Sequence, residues 1–326
     1  MLITINHTQT EVLNGETLIE TARRTGCSIP SLCYAKGAKH QSSCMVCAVK
    51  NCDTGQIIPS CTTYPTEGMK IDTESEEICT VRTLSLELLL SDHRADCEAP
   101  CSMVCPHRFD IERMLNLYDT GNHREAHELI AAAFVLPALG CDNCKMPCEK
   151  ICRRGSVENA VPIRVIIREL AEVYETVSAE AKKVAKKTDK EWFQSRLGRF
   201  TAQEKEFLKE TVVTPSGCLH CACAGRDRCK LRFYATEAGI KRPRYEASSA
   251  APVMKKEHVT GNMWFEPAKC IRCGLCAYNS QNGFTFRDRG FGMQVVIPDE
   301  NKMNVGEELA ELCPTGALYS IKENIF

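Results

Sequence analysis

No run of apolar residues in these 326 positions approaches the roughly 18 that a membrane-spanning helix needs. The N-terminal stretch MLITINHTQT has neither a basic region nor an apolar one, so no secretory leader is expected. Charge of one sign is also lacking: 41 basic residues stand against 42 acidic ones. So balanced a chain has no global field for nucleic acid or an anionic membrane. There is no Gly-x-Gly-x-x-Gly after a strand, no phosphate-binding loop, and no serine or cysteine nucleophile with a plausible base. No catalytic side chain is therefore expected, and the absences together predict a soluble, cytoplasmic protein of two to four modest domains.

What the chain has in excess is cysteine, 22 of them. In a reducing compartment that count points to metal ligation rather than to disulfides. The cysteines fall into four groups, with none between Arg153 and Gly217 or between Lys230 and Lys269. The densest stretch runs from Asp92 to Cys152 and holds His93, Cys97, Cys101, Cys105, Cys141, Cys144, Cys148 and Cys152. Seven thiols and one imidazole suffice for two four-iron clusters.

The first group is Cys33, Cys44, Cys47 and Cys61. Thiolates three positions apart converge on one centre, and loop amides can stabilise charge added on reduction. Structural zinc usually takes two short pairs rather than a lone distant ligand. The third group, Cys218, Cys221, Cys223 and Cys229, is compact; a four-iron cluster is the first reading and a structural zinc the second, with His220 read as a neighbour. In the fourth, Cys270, Cys273 and Cys276 are closed by the remote Cys313-Pro314, which predicts one cluster. Cys27, Cys52 and Cys79 fit no ligand pattern and are expected to be small buried hydrophobes.

Periodicity places a hairpin over residues 2–6 and 10–13, and a capping box of Thr17 and Glu20 opens a helix ending near Gly26. Helices are predicted over 76–90, 110–118 and 123–134, and a long amphipathic one starts near Pro162. Another is predicted over 201–211. Residues 284–287 and 293–297 read as strands, and 305–312 as the helix delivering Cys313.

These patterns resemble known families. The first 75 residues, with Ile29-Pro30-Ser31-Leu32-Cys33-Tyr34 and the long first ligand gap, resemble the N-terminal two-iron domain of the complex I large iron-sulfur subunit and of NAD-linked hydrogenases and formate dehydrogenases. The Leu-Leu-Leu-Ser-Asp-His93 approach continues that likeness, in which a histidine ligates a four-iron cluster. From Ala95 onward, Cys97, Cys101, Cys105-Pro106, Asp110-Ile111 and Cys144 to Gly155 resemble the two-cluster domain of glutamate synthase small subunits and dihydropyrimidine dehydrogenases. That resemblance implies interleaved ligands: His93, Cys97, Cys101 and Cys152 for one cluster, Cys105, Cys141, Cys144 and Cys148 for the other. The region from 255 onward resembles a single-cluster bacterial-type ferredoxin.

The expected fold class is therefore α+β multidomain. A beta-grasp ferredoxin over 1–75 precedes an all-helical double-cluster domain over 76–180; a helical connector with the compact four-cysteine site follows over 181–254, and a ferredoxin-like module over 255–326. The resemblances imply one [2Fe-2S] and four [4Fe-4S] clusters. They also imply a flavoprotein partner that binds NAD(P)H and a second redox catalytic subunit such as hydrogenase or formate dehydrogenase, for which this chain has no room. A free polyferredoxin and a zinc-stabilised assembly scaffold are the alternatives.

Overall fold

The structure is a computed structural model that describes residues 1–93, 96–134, 141–172, 216–223, 225–240, 245 and 256–320. It divides into two compact units, Met1–Ala95 with Ala224–Ile325, and Asp96–Cys223.

In the first unit, β1 (Leu2–Ile5) and β2 (Thr8–Glu11) form an antiparallel hairpin. Its two-residue turn is Asn6-His7, both at positive φ, which matches the right-handed strand twist. This tight turn pulls the second strand two residues earlier than the periodicity suggested. Helix α1 (Leu18–Arg24) begins where expected: the Glu20 carboxylate accepts from the Thr17 N–H and hydroxyl, both at 2.9 Å. Three short strands, β3 (Ala48–Asn51), β4 (Ile57–Pro59) and β5 (Lys70–Asp72), complete a five-stranded sheet of order β2-β1-β5-β3-β4. Only the β1–β5 pairing is parallel. Ile3, Ile5, Leu18, Ile19, Ala22, Val49 and Ile71 bury together beneath α1. Helix α2 (Glu76–Asp92) is pinned to this sheet by Arg82, whose guanidinium donates to Ala48 O and Thr73 O at 2.9 and 3.0 Å.

The second unit is helical among its described residues. It contains α3 (Pro100–Val104), α4 (Ile111–Asp119), α5 (His123–Ala133), α6 (Pro147–Lys150) and α7, residues 163–172. Asp110 caps α4 by accepting from Arg113 N, and Pro162 stands just before α7, a place where its missing N–H is harmless. Ile111, Met114, Leu115, Ile130, Ile163, Ile166 and Ile167 meet in one core. The helix expected over 201–211 and the continuation of α7 lie outside the described residues.

The chain then returns to the first unit through α8 (Lys230–Glu237). Strands β6 (Glu257–Thr260) and β7 (Met263–Phe265) follow, then α9 (Leu275–Asn279), the hairpin of β8 (Thr285–Arg287) and β9 (Gln294–Val296), α10 (Glu308–Leu312) and β10 (Leu318–Ser320). The sheet order is β10-β7-β6, so the chain end beyond Cys313 pairs with the strand just before Cys270. That pairing brings two cysteine segments 37 residues apart to one place.

Candidate metal centres

Cys33, Cys44, Cys47 and Cys61 are all buried, and the Cys33 and Cys44 Sγ atoms lie 3.3 Å apart. The β3–β4 hairpin explains the spacing: Cys47 stands just before it and Cys61 just after. Ser60 fastens the two sides, its hydroxyl donating to Cys47 O at 2.7 Å. Met45, at φ 54°, turns the chain between Cys44 and Cys47. The preceding loop is held by Arg23, which donates to Ile29 O and Ser31 Oγ, and by His40, whose ring bridges Ala38 O and Cys61 O. Hydrogen bonds from the Cys44 and Cys61 thiols favour a thiolate at Cys33, and the same contacts push Cys44 and Cys61 up. Four crowded thiols thus cannot all ionise without a bound cation to compensate them.

In the C-terminal module, Cys270 and Cys273 lead into α9, Cys276 lies in its first turn, and Cys313 follows α10. Arg272 is left-handed at φ 55°, and its N–H donates to Cys270 Sγ at 3.3 Å. Leu318 N–H donates to Cys313 Sγ at 3.4 Å, and Thr315 Oγ1 donates to Lys269 O at 2.8 Å, joining the halves. Burial pushes the Cys270 thiol up to about 12, and raises Cys273 and Cys276 as well. Beside them, Lys269 and Glu266 form a fully buried ion pair at 2.7 Å.

Within this same unit, the first and last sites share a hydrophobic cluster. Leu32, Cys33, Cys44 and Val46 pack with Leu86, Cys229, Leu231 and Ile271, and Cys273 lies against the group. Lys39 N donates to Asn279 Oδ1 at 2.9 Å, and Asn279 Nδ2 donates back to Lys39 O at 2.7 Å.

Among its described residues the second unit holds two partly open spaces lined by thiols. One is lined by Cys105, Cys141, Cys144 and Cys148 among Phe109, Ile111, Phe134, Ile163 and Ile167. This is the set that the two-cluster resemblance implied. Met146 is left-handed between Cys144 and Cys148, and Arg164 Nη2 donates to Cys144 O. The other is lined by Cys101, Cys152, Cys218 and Cys221. Cys97 and Cys223 are not among the residues lining this space. Cys223 N–H instead donates to Cys97 O at 3.1 Å.

The remaining candidates are placed individually. His93 Nε2 is buried without a hydrogen-bond partner, and burial, reinforced by the Lys269 charge, lowers its imidazole to about 4. Cys229 accepts from Arg232 N–H at 3.4 Å. The two ring nitrogens of His220 face Glu112 at 3.2 Å and Asp119 at 3.5 Å, the geometry of a positioning neighbour. Cys27 packs beneath the sheet beside Asn6 and Thr73, but Cys52 and Cys79 are exposed and are not the buried hydrophobes expected. Cys52 lies in the turn after β3 and Cys79 on an outward face of α2, placements that ligand spacing alone does not reveal. No three His, Cys, Asp or Glu groups among the described residues are arranged to hold a single metal ion. In the second unit the thiols line spaces instead of meeting at a point.

Comparison with known proteins adds an independent line. Residues 1–76 match the family described as 2Fe-2S iron-sulfur cluster binding domain, and residues 76–179 match dihydropyrimidine dehydrogenase domain II, 4Fe-4S cluster. The chain carries a 2Fe-2S domain followed by a 4Fe-4S domain. It is 32% identical over 163 residues to the HndD subunit of the NADP-reducing hydrogenase of Solidesulfovibrio fructosivorans, covering 47% of this chain and 27% of that protein. It is 34% identical over 124 residues to the G 2 subunit of the NADH-quinone oxidoreductase of Rhizobium meliloti, 37% of this chain and 14% of that one. The gamma subunit of the NAD-reducing hydrogenase HoxS of Cupriavidus necator is 30% identical over 95 residues, 29% of this chain and 40% of that protein. The chain thus spans less than half the length of these relatives. In fold it is similar to a chain of an NAD+-reducing [NiFe]-hydrogenase structure, with TM-score 0.52 and 16% identity over 99% of this chain and 88% of that one. Among the described residues no helix is long and apolar enough to cross a membrane.

Proposed function

We propose that this chain is the electron-relay component of a multi-subunit NAD(P)H-linked oxidoreductase, passing single electrons between a flavoprotein partner that binds NAD(P)H and a second redox catalytic subunit. The observation that carries the reading is the shared cluster of Cys33, Cys44, Ile271 and Cys273, which sets two thiol sites side by side through packed apolar contacts. The names of the relatives support the assignment to complexes of this kind.

The donor sets fit iron-sulfur clusters. None of the 22 cysteines is in a disulfide, and backbone N–H groups are directed at Cys218, Cys229, Cys270 and Cys313 Sγ, the donors that stabilise such a cluster's negative charge. The proposed ligands are Cys33, Cys44, Cys47 and Cys61 for one [2Fe-2S] cluster, with His93, Cys97, Cys101, Cys105, Cys141, Cys144, Cys148, Cys152, Cys218, Cys221, Cys223, Cys229, Cys270, Cys273, Cys276 and Cys313 shared among four [4Fe-4S] clusters. A bound cluster supplies reversible one-electron transfer. The protein's part is to hold the thiols, exclude water with Leu32, Val46 and Ile271, and place N–H donors and the Lys269 charge nearby. The unpartnered Nε2 of His93 supports its place among the ligands, since a buried imidazole nitrogen left without a partner is costly.

Anaerobic purification tests this reading. The full chain should be brown, contain iron and acid-labile sulfide, and accept several electrons from dithionite while remaining oxidised in NAD(P)H alone. A colourless, zinc-containing chain would falsify it in favour of the scaffold alternative.

A further inference from the structure

The segment that carries Cys218 and Cys221 is far in sequence from Cys101 and Cys152, yet within the second unit it is fastened to them at three points. Ser216 N and Oγ both donate to the Asp119 carboxylate at 2.6 Å. Arg154 Nη1 donates to Ser216 O at 2.9 Å, and its guanidinium occupies the space where a Cβ on Gly217 would fall, 1.6 Å away. Gly217 is also at φ 67°, so only glycine satisfies both the backbone and the arginine. His220 then faces Glu112 and Asp119 of α4. These contacts aim Cys218 and Cys221 into the space lined by Cys101 and Cys152.

The turn itself has a counterpart in the same molecule. In Cys270-x-x-Cys273 the third residue, Arg272, is left-handed and its N–H donates to Cys270 Sγ at 3.3 Å. In Cys218-x-x-Cys221 the third residue, His220, is left-handed at φ 47° and its N–H donates to Cys218 Sγ at 3.4 Å. A non-glycine residue at positive φ is uncommon. Its recurrence at the same offset between two cysteines, with the same N–H to Sγ bond, marks both turns as thiolate-holding nests.

We infer that Cys218 and Cys221 complete a four-thiolate [4Fe-4S] site with Cys101 and Cys152, so that the two-cluster domain borrows two ligands from beyond α7 and the third cysteine group is divided between sites. Cys97 and Cys223, which are bonded through their backbones and line neither space, belong elsewhere. Burial pushes Cys101 and Cys218 up to about 12, with Cys221 close enough to add to both. The inference rests on the iron-sulfur reading of the chain.

Serine variants of the full chain, purified anaerobically, test the grouping by iron content and by low-temperature electron paramagnetic resonance of the reduced protein. Cys101→Ser, Cys152→Ser and the Cys218→Ser/Cys221→Ser pair should each lose the same signal and about four irons. Joining Cys152→Ser to Cys218→Ser should remove no more than either alone. Cys97→Ser and Cys223→Ser should leave that signal in place. Loss of different signals by Cys152→Ser and Cys218→Ser, or an additive loss of about eight irons, overturns the grouping while leaving the relay reading intact. Wild-type protein without iron or labile sulfide overturns both. Should Cys152→Ser fail to fold, Asp119→Ala keeps every thiol and releases the Ser216 anchor together with the Asp119 contact of His220. The same signal should then be the first lost to a chelator, and uniform loss of all signals would count against the site.

Discussion

Single side chains decide where charge is tolerated in this protein. His127, on α5, is 5% exposed, and burial lowers its imidazole to about 4 against an opposing pull from Glu128. An unfolded histidine titrates near 6.5. Between those values the unfolded chain binds the proton and the folded chain does not, so stability falls as pH drops from about 6.5 to about 4 and levels off below. The term is at most about 3.5 kcal/mol, from roughly 1.4 kcal/mol per pH unit. His127→Leu should remove it. Thermal melts of wild type and variant, followed by circular dichroism across this range, should therefore converge at neutral pH and diverge in acid, with the wild type the less stable. Parallel curves would mean that the histidine is protonated in the folded state.

At the scale of elements, close backbone approaches hold the ligand loops in place. Within the first unit the loop after Cys313 lies directly against Gly225, where a Cβ would fall 2.6 Å from the Gly316 Cα. Backbone faces backbone there, so no side chain can give way, and Gly316 at φ 69° needs its own freedom. Lys230 N donates to Pro314 O at 2.8 Å beside this contact. Gly225→Val should cost about 1–3 kcal/mol by overpacking and displace Cys313, so the C-terminal site should lose its iron while the Cys33 site keeps its own. Full iron content with an unchanged melting temperature would show that the loop yields. Local elements were legible in the sequence: the Thr17–Glu20 cap, α2, the start of α7 at Pro162, and the helix that delivers Cys313 all follow from short-range patterns. Strands β3, β4 and β5 were not, because Ala48–Asn51 and Ile57–Pro59 do not alternate apolar with polar side chains and Lys70–Asp72 offers a single apolar residue between two charges. The union of Cys101 and Cys152 with Cys218 and Cys221 was equally hidden, since it depends on Asp119 and Arg154 catching a segment some hundred positions from Cys101.

For the whole molecule the consequence is that sequence order differs from the order in which the thiol sites are brought together. Residues 1–93 and the C-terminal module belong to one compact unit, with the two-cluster domain between them in sequence forming the other. Cys33 is near enough to Cys273 for its charge to raise that thiol further, after burial. The doubled Lys39–Asn279 hydrogen bond holds the two loops together. Clusters held by these residues would be neighbours, although their nearest ligands, Cys61 and Cys270, lie more than two hundred positions apart in the chain. Magnetic interaction measures this directly. When both sites are reduced, the signal assigned to the Cys33 site should be broadened or split, and Cys276→Ser, which empties the C-terminal site, should return it to a simple narrow line. Asn279→Ala should weaken the interaction without removing either signal. A Cys33-site signal that is the same with and without the C-terminal cluster would break the proposed relay at its first step, because the packed apolar contact would then join no pair of electron carriers.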